Sequence, residues 1–201
     1  MLFLLQLGNC HEVLTVSDVG FILDVSGSIT DEYWEEEKTF VKNLTREFDI
    51  LPHGARVSIV TFNDDAVLAI MFSDHKTNAD FETALSKIDR RGYGGTNIGA
   101  GLAKALDDMF QVKNGMRPAS PHVAVLITDG KNGNKKFATF RNRFQGNEIK
   151  ILAVGVGAFV DDELRRLVGL VDKDFLSVKD FSKLNINDFI KNTTFCKYKL
   201  R

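Results

Sequence analysis

The chain has 201 residues, 44% of them hydrophobic and 26% charged, a composition that suits one folded domain with a sizeable core. Its 26 basic and 27 acidic residues leave a formal net charge of −1, so there is no polyanion footprint and nothing points to nucleic acid. No stretch approaches the ~20 apolar residues of a membrane span.

In chain order, the apolar run Leu2 to Leu7 reads as a truncated signal sequence: it is shorter than a normal signal core and no basic residue precedes it. Residues 1–16 are expected to be a lead-in, residues 17–196 a single domain, and residues 197–201 a tail. Val19 to Asp24 reads as a buried strand. The next helix is expected to open on a capping box, Ser28-x-x-Asp31, with Tyr33, Phe40, Val41, Leu44 and Phe48 recurring at helical spacing. Trp34, followed by three glutamates, is expected to be half exposed. The acidic run Asp31 to Asp49 reads as a solvated helix face. Arg56 to Phe62 and Ala66 to Met71, joined by Asn63-Asp64-Asp65, predict an antiparallel hairpin.

Asp80 to Ile88 predicts a short helix, and Arg91 to Gly95 a glycine-rich loop. A longer helix follows from Ile98 to Phe110, with small Gly99, Ala100 and Gly101 where it approaches the sheet. His122 to Thr128, Ile149 to Val156 and Phe175 to Val178 predict three more strands. Helices are expected around Lys135 to Phe144, from Asp161 to Val168 and from Ile186 to Phe195. This alternation of strand and helix predicts an α/β fold: a doubly wound, mostly parallel central sheet with one antiparallel edge strand and helices on both faces. The sixteen phenylalanines read as core. The four histidines lack the spacing of a zinc site or a nucleophile's partner.

Three segments carry chemistry. Phe21 to Ser28 ends a buried-strand pattern in a carboxylate and two hydroxyls, Asp24, Ser26 and Ser28, spaced at i, i+2 and i+4. Gly94-Gly95-Thr96-Asn97 opens a second loop, and Val123 to Gly130 is another apolar strand ending in a carboxylate, Asp129. These are oxygen donors, which suit Mg²⁺, Mn²⁺ or Ca²⁺ rather than zinc or copper. In open α/β sheets ligands bind beyond the carboxyl ends of the strands, where strand order reverses, and Asp24 and Asp129 both fall at carboxyl ends.

Together and in this order, the segments resemble the von Willebrand factor type A domain with its metal-ion-dependent adhesion site, in the style of matrilins and collagen VI. The resemblance covers roughly Asp18 to Cys196. It implies Asp24, Ser26, Ser28, Thr96 and Asp129 as ligands of a divalent ion, Mg²⁺ first, with Mn²⁺ or Ca²⁺ as alternatives. Two carboxylates and three hydroxyls leave a coordination position to water, which an acidic residue of a protein partner can fill. Tyr93, Asn97, Lys131, Asn132 and Asn134 are candidates for the surrounding ligand surface. The basic residues from Lys131 to Lys150 read first as a solvated helix face, and where they follow the Asp129 loop they could steer an acidic ligand.

Cys10 and Cys196 bracket the domain, and chain ends of compact domains usually lie close together. Flanking cysteines in extracellular A domains favour a disulfide by resemblance, whereas two unpaired thiols are the alternative. Sequons at Asn43 and Asn192 would be usable in a secretory setting. The implied function is adhesion or matrix assembly in the extracellular matrix, without catalysis. Two alternatives remain: a purely architectural domain, and a metal-dependent phosphohydrolase with Asp24 as nucleophile. The latter needs a second carboxylate at position 26, where the chain has serine.

Overall fold

Six strands form one sheet in the order β3-β2-β1-β4-β5-β6. They span β1 Asp18–Asp24, β2 Arg56–Phe62, β3 Ala66–Ile70, β4 His122–Thr128, β5 Ile149–Val156 and β6 Phe175–Val178. The computed structural model describes residues 16–90, 92–130, 137–157, 162–169 and 172–193. Cys10, Cys196, Lys131, Asn132 and Asn134 lie outside them, as do the lead-in up to residue 15, the 197–201 tail and the Asn192 side chain.

All pairings are parallel except β2 with β3, which is the expected antiparallel edge. Strands β1 and β4 are buried at every position, as parallel strands covered on both faces must be. Successive β1 side chains feed opposite faces. Val19, Phe21 and Leu23 pack in one core with helices α1 (Asp31–Thr45), α2 (Asn78–Ser86) and α6 (Ile186–Asn192). Ile22 packs in the other, with α3 (Ile98–Lys104), α4 (Phe137–Gly146) and α5 (Asp162–Leu167).

Several expected boundaries move, each for a local reason. The cap of α1 is Thr30, whose Oγ1 accepts the Tyr33 N–H at 3.2 Å. Ser28 is therefore not the cap, and its hydroxyl faces Ser26 instead. Trp34 is buried, 3% exposed, and its indole N–H donates to the Ile88 carbonyl across α2. Helix α2 starts at Asn78 rather than Asp80, because Thr77 caps it through the Asp80 N–H. The helix from Ile98 does not run as α-helix to Phe110: it widens after Lys104 into a π-helical turn, Ala105–Met109, closed by the Phe110 N–H to the Ala105 carbonyl at 2.9 Å. That turn seats Met109 on Gly20, where an added Cβ would fall 2.4 Å from Met109 Cε. Gly101 makes the predicted close approach, with its Cβ position 2.8 Å from the Phe62 ring. Helix α6 ends at Asn192, before Phe195, and Thr193 is extended.

At the amino ends of the strands, one ion pair ties three segments together. Asp18 is fully buried, and Arg117 grips it with Nε at 2.8 Å, Nη2 at 2.6 Å and its own backbone N–H at 2.6 Å. The same guanidinium donates to the carbonyls of Gly54 and Val16. Removing one partner of a buried pair leaves an uncompensated charge. Arg117→Ala should therefore cost on the order of 3 kcal/mol in urea denaturation. Arg46→Ala, which breaks the surface pair with Glu82, should leave the urea midpoint almost unchanged.

Candidate metal centre

The site stands where the sheet changes winding direction. β1 is flanked by β2 on one side and β4 on the other, so the crossovers from β1 and β4 leave in opposite directions and open a crevice at their carboxyl ends. The β1–β4 register pairs Leu23 with Ile127, which sets Asp24 beside Thr128 and brings Asp129 to the same end.

Asp24 has no solvent exposure. Its Oδ1 accepts the Ser26 N–H at 2.9 Å and its Oδ2 accepts the Thr128 hydroxyl at 2.6 Å. The Thr128 hydroxyl in turn accepts the Gly130 N–H at 3.1 Å, and Gly130 takes the positive φ of 72° that lets the chain turn away after Asp129. Burial pushes the Asp24 carboxyl up to about 6; the hydrogen bonds from Thr128 and Ser26 oppose that rise and the nearby Asp129 charge adds to it.

The Ser26 and Ser28 hydroxyls lie 3.1 Å apart. Their loop is anchored by Val25, which is buried and donates its N–H to the Phe62 carbonyl, and by the Ile29 N–H to the Ser26 carbonyl. The second loop is tied to the first by the Gly27 N–H to the Gly94 carbonyl at 3.2 Å. Thr96 follows, half-buried at the head of α3. Asp129 is 7% exposed. The first loop, the head of α3 and the end of β4 thus carry the expected residues to one end of the sheet.

The second loop also rests on residues that sequence patterning assigned only to a turn. Asn63 donates to the Tyr93 carbonyl and its own carbonyl accepts the Asn97 N–H, while Asp64 accepts the Gly95 N–H at 2.8 Å. Asn97 spends both ends of its amide inside the fold, capping α3 at Ala100 N–H and donating to the Asp64 carbonyl. Tyr93, 69% exposed, keeps its place on the outer surface. Two basic residues expected to steer a ligand are held by acidic partners, Arg143 by Asp107 and Lys150 by Asp174. Asn43 lies within α1 and is half-buried.

Glu37 is the residue that sequence patterning missed. It is fully buried rather than part of a solvated acidic face. The signal was available: Glu37 shares the buried stripe of Trp34, Val41 and Leu44 on α1.

The donor set fits a hard divalent cation. Carboxylate and hydroxyl oxygens are the available ligands, and a buried carboxylate held by polar donors is the usual companion of a metal or a paired charge. Among the described residues, no group of three or more His, Cys, Asp and Glu side chains is arranged to hold an ion. The serine and threonine hydroxyls would therefore have to complete the shell.

The model of the von Willebrand factor type A domain matches residues 18–192. Von Willebrand factor A domain-containing protein 2 of Mus musculus is 30% identical over 152 residues, covering 76% of this chain and 19% of that protein. The collagen alpha-5(VI) chain of Homo sapiens is 31% identical over 157 residues, 76% of this chain and 6% of that one. Matrilin-1 of Gallus gallus is 27% identical over 150 residues, 75% of this chain and 30% of that protein. The chain thus spans less than a third of the length of these relatives. Among solved structures, proximal thread matrix protein 1 from the mussel byssus superposes with a TM-score of 0.83 at 25% identity, covering 90% of this chain and 48% of that one. A further structure of that mussel protein has a zinc-occupied metal-ion-dependent adhesion site. The six-stranded sheet, the crevice at its carboxyl ends and the match over residues 18–192 agree: the chain belongs to the von Willebrand factor type A domain family.

Proposed function

We propose that residues 17–196 form one extracellular adhesion or matrix-assembly domain, without catalytic activity, that binds an acidic residue of a protein partner through a divalent cation. The observation that carries this reading is the buried Asp24 carboxyl at the switch point, beside the Ser26–Ser28 hydroxyl pair and near Asp129. Likeness to collagen VI, matrilin-1 and a byssal matrix protein supports a place in extracellular matrix.

Asp24, Ser26, Ser28, Thr96 and Asp129 would hold the ion, and a bound cation supplies electrophilic attraction for a partner's carboxylate. The chain's own residues do the rest. Thr128 and the Ser26 N–H fix the Asp24 carboxyl, the Gly27–Gly94 bond keeps the two loops in register, and exposed Tyr93 offers an aromatic surface beside the second loop. Mg²⁺ is the proposed ion. Zinc in the mussel protein's site belongs to that protein, but it makes Zn²⁺ a necessary competitor in any test. Phosphohydrolase chemistry is disfavoured by Ser26, which stands where that reaction needs a second carboxylate.

Asp24→Ala and Asp129→Ala should each abolish divalent-ion binding while the fold persists, because each removes a formal charge from a site with few charges. Ser26→Ala should weaken binding less, since it removes a neutral oxygen. Calorimetry with Mg²⁺, Mn²⁺ and Zn²⁺ beside circular dichroism checks this, and unchanged affinity in Asp24→Ala would contradict the assignment. Capture of extracellular-matrix proteins should depend on Mg²⁺ and vanish in EDTA. Capture that survives EDTA would favour the architectural role.

The Cys10–Cys196 disulfide is also proposed, on the family resemblance. Thiol titration of the protein made in an oxidising compartment should find no free thiol, and two reactive thiols per chain would rule the bridge out.

A further inference from the structure

The carboxylate of Asp64, on the hairpin between β2 and β3, reaches across to the loop that carries Thr96. Its Oδ1 accepts the Gly95 N–H at 2.8 Å, and the Asp64 carbonyl accepts the Asn97 side-chain amide at 3.2 Å. Beside it, the Asn63 carbonyl accepts the Asn97 N–H at 2.7 Å. Thr96 thus stands between two residues that are both tied to the same turn. That turn is itself fixed: the Asn63 N–H donates to the Asp65 carbonyl, the Asp65 N–H donates to Asn63 Oδ1, and Phe62 pairs with Ala66 in the sheet. The loop has less to hold it by composition, since Gly94 and Gly95 precede Thr96 and glycine loses the most backbone freedom on ordering. The same two glycines make room for the carboxylate. A Cβ at Gly94 would fall 2.5 Å from Asp64 Oδ2, and one at Gly95 would fall 2.8 Å from Oδ1.

An acceptor that holds this loop before an ion arrives removes the ordering cost from the binding step. Asp64 is exposed, so water weakens the field of its charge, whereas the hydrogen bond to Gly95 acts through geometry. We propose that Asp64 is a positioning residue of the metal centre: through the Gly95 N–H it sets the place of Thr96, and it does so as a hydrogen-bond acceptor rather than as a charge. The proposal rests on the metal-binding reading above.

The test titrates Mn²⁺ by calorimetry into the unaltered chain, Asp64→Ala, Asp64→Asn, Thr96→Val, and Asp64→Ala combined with Thr96→Val. Exchange of the Gly95 amide is followed by NMR in the same chains without metal. Asp64→Ala should bind Mn²⁺ about tenfold more weakly and exchange the Gly95 amide about tenfold faster. Asp64→Asn retains a carbonyl oxygen as acceptor and should stay within about threefold of the unaltered chain in both measurements. Once Thr96→Val has removed the hydroxyl, adding Asp64→Ala should cost less than about twofold. Mn²⁺ affinity within about twofold of the unaltered chain in Asp64→Ala would overturn the proposal and leave the contact as a structural one. Asp64→Asn as weak as Asp64→Ala would overturn it too, because the charge would then carry the effect. So would a further loss of about tenfold on adding Asp64→Ala to Thr96→Val, since Asp64 would then act without Thr96. If the unaltered chain itself binds no Mn²⁺, the metal-binding reading fails first and this proposal with it. Should Thr96→Val abolish binding, the Asp64→Asn rescue and the Gly95 exchange still decide.

Discussion

The placement of the Asp24 carboxyl at zero exposure on the central strand is the constraint from which the rest of the structure follows. A charge in that position is tolerable only if polar groups are fixed around it. The β1–β4 register supplies Thr128, the turn after β1 supplies the Ser26 N–H, and Asp129, directly after the end of β4, is close enough to act on Asp24. These donors reduce the cost of the buried carboxyl without removing it, and burial still holds Asp24 well above the ordinary carboxylate range. That imbalance supports the proposed cation site.

The two ends of the same strand solve the buried-charge problem in opposite ways. At its start, Asp18 is neutralised within the fold by Arg117, which also collects carbonyls from neighbouring segments. At its end, the donors to the buried Asp24 carboxyl among the described residues are the Ser26 N–H and the Thr128 hydroxyl. One end is closed and structural. The other presents carboxylate and hydroxyl oxygens at the crevice, which supports the proposed cation site.

Much of this was legible in the amino-acid sequence because buried parallel strands are written as continuous apolar runs. The bounds of β2, β4, β5 and β6 agree with the expected ones, and the hairpin turn at Asn63 marks the antiparallel edge. The proposed ligand residues stand out for a related reason: each follows an apolar strand or heads a helix, so position and chemistry coincide. Helix ends were harder. Thr30 and Thr77 are caps by virtue of backbone geometry, and serine or threonine alone does not say which of several neighbours will turn inward. The π-helical turn at Ala105 accompanies the close packing of Met109 on Gly20, a tertiary contact with no local signature. Glu37 was hidden by its neighbours Glu35 and Glu36, and only its phase on the helix distinguishes it from them. The support that Asn63 and Asp64 give to the second loop is a contact between segments about thirty residues apart, beyond the reach of any local pattern.

The central claim is that the switch-point crevice is a metal centre built by Asp24, Ser26, Ser28, Thr96 and Asp129. Anomalous diffraction at the manganese edge, from crystals of this chain grown with Mn²⁺, tests it most directly. The account predicts one strong anomalous peak bounded by those five side chains. A crystal with Mn²⁺ bound elsewhere and no peak in the crevice would contradict it.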